Sequence, residues 1–79
     1  MELALQPVKV ANGSDENGFL LFQKDKLIAV LVQLSEDNDV APGHWFLEAG
    51  FGALQGAYET FRDLDAAQEW IAEQIEPRP

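Results

Sequence analysis

The run Leu27–Leu34, LIAVLVQL, constrains this chain more than any other stretch. A strand that lines a core with one face alternates apolar with polar residues, because successive side chains point to opposite sides. Here only Gln33 interrupts the apolar residues, so both faces of the strand carry apolar groups. Whatever sheet contains this strand needs a cover on each side.

A second apolar run, Phe19–Phe22, precedes it across QKDK (23–26). β-Branched and aromatic runs flanking turn-type residues predict a hairpin. No Gly sits in the turn, so its type is open. With Lys24–Asp25 as a two-residue loop, Gln23 pairs with Lys26, Phe22 with Leu27 and Leu21 with Ile28. That register puts Leu20, Phe22, Leu27, Ala29 and Leu31 on one face. The other face receives Phe19, Leu21, Ile28, Val30 and Val32. The bulkier β-branched set, Ile28, Val30 and Val32, is expected beneath the helix.

Upstream, Pro7 holds Gln6 extended and predicts a short edge strand around 7–11. NGSDENG (12–18) and SEDNDVAPG (35–43) read as loops. HWFLEAGFG (44–52) reads as a further strand, with Trp45, Leu47 and Ala49 facing one way and His44, Phe46 and Glu48 the other. Gly50 and Gly52 imply a bulge or a close backbone approach at its end. ALQGAYET (53–60) reads as a loose connection. A helix is predicted from an Asp63 N-cap to a stop before Pro77, with Leu64, Ala67, Ile71 and Ile75 on one stripe. The fold class is α+β: a small antiparallel sheet of three to four strands in β-β-β-α order, packed against one C-terminal helix. The 79 residues make a single domain, 1–79.

One helix of about 14 residues is about 21 Å long and about 10 Å wide. It covers most of one face of such a sheet and none of the other. Two covers for the second face are open. The N-terminal segment and the 51–60 connection can fold over it with Leu3, Leu5, Phe51, Leu54 and Tyr58, or a second copy of the chain can dock there. The expectation is a homodimer whose contact face is Leu20, Phe22, Leu27, Ala29 and Leu31.

Charge narrows the partners. Fourteen acids against five bases give a net charge of −9, which repels nucleic-acid backbones and anionic membrane surfaces. No direct nucleic-acid or membrane binding is expected, while a basic protein partner remains open. The chain has no Cys, an acid at position 2 and no apolar run near the roughly 20 residues that span a bilayer. A soluble, reducing, cytoplasmic setting is the expectation.

No catalytic constellation is legible, and no enzyme activity, metal or cofactor is expected. His44 is the lone histidine, and Ser14, Ser35 and Thr60 lie in no nucleophile motif. EDND (36–39) and DEN (15–17) lack the spacing of a calcium loop. GFGALQG (50–56) has Gln55 where a phosphate-binding loop has its third Gly. A small-ligand pocket near His44 and Tyr58, between helix and sheet, is the alternative to a contact protein. On the helix, Asp65, Glu69, Glu73 and Glu76 share the face opposite the apolar stripe, with no base between Asp63 and Glu76. Like charges at i,i+4 oppose helix stability, so this face is either a solvating surface or a dock for a basic partner. Trp70 at its margin is either core edge or a partner anchor, and nucleic-acid mimicry is a further variant.

The order of strands before one C-terminal helix is similar to that of double-stranded-RNA-binding domains, although the basic residues those need are missing. PGHW (42–45), the terminal helix and PRP (77–79) resemble MbtH-like proteins, small accessory subunits of nonribosomal peptide synthetases. That resemblance implies an accessory role and assigns no residue a function.

Overall fold

The computed structural model describes residues 3–11 and 17–75. They form one antiparallel meander, β1 (Leu3–Lys9), β2 (Asn17–Gln23), β3 (Lys26–Gln33), β4 (Trp45–Gly50) and β5 (Thr60–Phe61), followed by the helix α1 (Leu64–Ile75). The α+β class stands. The sheet has five strands rather than three or four, because the N-terminal segment joins it as a full strand and the connection after β4 returns as β5. Strand β1 begins earlier than expected, and Pro7 is accommodated in it because β1 is an edge strand, where a missing N–H costs no ladder bond on the open side.

The hairpin turn is Lys24–Asp25, with Gln23 opposite Lys26 and Phe22 opposite Leu27. Lys24 takes a φ of 59°, the positive angle that the first central residue of a II′-type hairpin turn requires. Beyond these pairs the simple register fails. A bulge lets Ile28 and Ala29 together face Leu21, so Ala29, not Ile28, is the cross-strand partner of Leu21. Every residue of β3 after the bulge is therefore on the face opposite to the expected one. A second bulge, at Glu48 in β4, leaves Leu31 opposite Leu47 but Val30 opposite Ala49.

The core under α1 accordingly contains Leu21, Ile28, Ala29, Leu31, Leu47, Leu54, Ala67 and Ile71. Ile28 lies there as expected, while Val30 and Val32 are on the far face, where Val30 pairs with Leu20 and Val32 with Gly18. Ala49, expected to share a face with Trp45 and Leu47, pairs with Val30 on the far side. Leu3 and Leu5 also pack against the core from β1, and fully buried Leu54 closes it from a short 3-10 turn, Gly52–Leu54. That turn lies directly on β4: a Cβ on Gly50 would sit 2.3 Å from the Leu54 carbonyl oxygen. Gly50, opposite Ala29, is the close backbone approach that its sequence context implied.

The helix begins where its cap predicts. The Asp63 Oδ1 atom accepts a 2.8 Å hydrogen bond from the Ala66 N–H, satisfying one of the free donors of the first turn. Ala67 and Ile71 of the apolar stripe are fully buried, and Leu64 and Ile75 pack at its ends.

Candidate functional site

Among the described residues, no helix or strand forms a second layer over the far face of the sheet. The side chains that cross-strand pairing places there are Ala4, Gln6 and Val8 of β1; Gly18, Leu20 and Phe22 of β2; Leu27, Val30 and Val32 of β3; Phe46 and Ala49 of β4; and Thr60 of β5. None of these paired positions carries a charge, but Glu48, the bulge residue beside Ala49 in β4, is an exposed acid at this side. Leu20, Phe22, Leu27, Val30 and Phe46 are half-buried.

Intrachain cover is confined to two edges. Val8 and Val10 lean over Gly18, where an added Cβ would stand 2.9 Å from a Val10 methyl, and Val32, opposite Gly18, is fully buried. At the other edge Tyr58 stacks on Phe46, ring centroids 6.3 Å apart and planes 16° from parallel, and it stays 72% exposed. The other side chains proposed as an intrachain cover lie elsewhere. Leu3, Leu5 and Leu54 are in the helix-side core, and Phe51 lines a groove beside Ile75 at the hairpin end of that side.

Of the expected dimer face, Leu20, Phe22 and Leu27 are on this open surface. Ala29 and Leu31 are not: both are fully buried beneath α1, because the bulge at Ile28 reverses their direction. Val30 and Val32 take their place. A bulge leaves little trace in an all-apolar run, since neither of its faces is marked by polar residues.

The acidic helix residues Asp65, Glu69 and Glu73 are exposed, as their spacing implied, and Glu76 lies outside the described residues. Trp70 is turned to the core edge, where its ring meets Phe61 at 5.6 Å and 53°. The ring thus packs at the core edge and stays partly exposed. The His44 ring nitrogen Nδ1 donates to the Pro42 carbonyl at 3.2 Å. Tyr58 stands on the open side of the sheet, so it does not enclose with His44 a pocket between helix and sheet.

In the EDND loop, the Asn38 side-chain oxygen accepts from the Val40 and Ala41 N–H groups at 2.9 and 2.8 Å and so holds a local turn. Among the described residues no group of three or more His, Cys, Asp or Glu side chains is placed to hold a metal ion, and no helix is long and apolar enough to cross a membrane.

On the helix side, α1 leaves one end of the sheet bare. A groove of about 550 Å³ opens there, lined by Pro7, Val8, Lys9, Asn17, Gly18, Phe19, Gln33 and Trp45. Phe19 and Trp45 pack at 5.4 Å, tilted by 54°. Lys9 Nζ donates to Asn17 Oδ1 at 2.5 Å, and Gln33 Nε2 donates to the Gly43 carbonyl at 3.2 Å. Sequence reasoning did not find this groove, because its residues come from four strands and share no local motif.

No protein-family model matches the chain, including any for the two families whose element order or motifs it resembles, and no curated protein or solved structure matches it significantly.

Proposed function

We propose that this chain is a non-enzymatic contact domain that works as a homodimer, joined through the open face of its sheet. The observation that carries the reading is the apolar set Leu20, Phe22, Leu27, Val30 and Phe46 on one face, bordered by Val8 and Tyr58. Five strands at about 4.8 Å spacing and about six residues at about 3.3 Å make a face roughly 20 Å on each side. That is about 400 Å², the size of the largest apolar patch on a typical monomer, which is often functional.

Charge favours a second copy as the occupant. The exposed acids Asp65, Glu69 and Glu73 are on the helix, across the sheet from this face. Two open faces can meet with the helices pointing outward, which keeps the helix acids apart, while Glu48 at the β4 bulge lies at the margin of the contact. A basic protein would be drawn to the helix side rather than to the open face. The net charge of −9 supports action on proteins rather than on nucleic acid, and the absence of Cys supports a reducing, cytoplasmic setting.

Analytical ultracentrifugation of the wild-type chain at micromolar concentration tests the reading. A dimer is expected, and Val30→Glu is expected to yield a folded monomer with native far-UV circular dichroism, because a buried carboxylate without a partner is costly. A wild-type chain that sediments as a monomer at every concentration overturns it.

A further inference from the structure

We propose that the groove beyond the end of α1 is a binding site for small aromatic carboxylates. The site opens on the helix side of the sheet, shares only Val8 and Gly18 with the open face, and does not depend on dimerisation. Its dimensions suit such a ligand: about 550 Å³ lies within the range of small-molecule sites, which are apolar with a few placed polar groups. Phe19, half-buried, and Trp45, buried to 9% exposure, form the aromatic wall at 5.4 Å and 54°, and a flat ring can pack against the part of Phe19 left open beside it. Pro7 closes the side nearest the sheet edge.

The polar groups select the charge. Lys9 is directly opposite Asn17 in the β1–β2 ladder, and the hydrogen bond from its ammonium to Asn17 Oδ1 holds it at the groove. That bond uses one of three ammonium donors, which leaves others to meet a carboxylate. No Asp or Glu is among the described lining residues, although acids outnumber bases in the chain. Lys9 is thus the charged side chain among the described lining residues of the groove. The amide of Gln33, fixed by its bond to Gly43, sets a polar limit at the other side.

Phenylacetate, with its neutral analogue phenylacetamide, is the probe. In a two-dimensional amide NMR titration, phenylacetate at millimolar concentration is expected to shift the Trp45 indole N–H and leave that of Trp70 in place. Phenylacetamide should bind about fivefold more weakly, the factor that one solvent-exposed charge pair supplies. Lys9→Met should abolish that preference, and because Lys9 is exposed the variant keeps its fold, which circular dichroism checks. An unmoved Trp45 signal overturns the proposal. So does equal movement of both indoles, which would signify non-specific association, and so does equal affinity for the acid and the amide.

Discussion

The two faces of the sheet carry similar amounts of apolar side chain, yet only one is a core. On the helix side, Leu21, Ala29, Leu31 and Leu47 are completely removed from water by α1 and the 3-10 turn. On the open side, Leu20, Phe22, Leu27, Val30 and Phe46 are only half-buried. The helix side is also built from smaller groups where backbone comes close, as at Ala29 and Gly50 beneath Leu54. Apolar content alone therefore does not make a core. A second layer at van der Waals distance does, and the difference between the faces measures what that layer contributes.

Adjacent residues Leu31 and Val30 give the sharpest test, since they point to opposite faces. Leu31→Ala is expected to cost about 3 kcal/mol in urea denaturation, the scale of a buried Leu cavity that cannot fully collapse. Val30→Ala should cost under about 1 kcal/mol in the monomer, where the side chain is already half in water. Similar losses at the two positions would erase the distinction between the faces.

The glycines extend the comparison. Gly50→Ala forces a methyl against a backbone carbonyl at 2.3 Å and is expected to destabilise by about 2 kcal/mol, read as a fall in melting temperature. Gly18→Ala on the open side meets a Val10 methyl and the Leu31 carbonyl at 2.9 Å, so a smaller loss is expected there. A larger loss at Gly18 would show that the Val8–Val10 cover is packed as firmly as the core.

The turn sets the pairing of Gln23 with Lys26 ahead of the bulge, and Lys24 holds it with a positive φ that disfavours side chains. Lys24→Gly should stabilise the chain by about 1 kcal/mol in thermal unfolding, with no change of register. Destabilisation would mean that the turn gains something from the lysine beyond its backbone angle.

The smallest effect belongs to the outer surface of the helix. Glu69→Lys changes two repulsive i,i+4 pairs, with Asp65 and Glu73, into attractive ones and should add about 0.5 kcal/mol. A loss of stability there would show that the exposed acids take part in contacts of their own.

Much of this architecture was legible in the residues. The Asp63 cap, the Leu64–Ala67–Ile71–Ile75 stripe and the Lys24–Asp25 turn were each encoded within a few neighbouring positions, because helix capping and tight turns are local physics. That apolar side chains stand on both faces of the sheet was equally plain from LIAVLVQL. Two things were not legible: the bulges at Ile28 and Glu48, and the pairing of Thr60–Phe61 with β4. A bulge reverses the direction of every later side chain, but in a run that is apolar on both sides no polar residue records the reversal. The tertiary structure decided it by packing, since Ala29 and Gly50 leave room for the Leu54 turn on one side and Val30 has no such neighbour. The same packing assembled the Lys9–Phe19–Trp45 groove from strands far apart in sequence, where no local pattern could announce it.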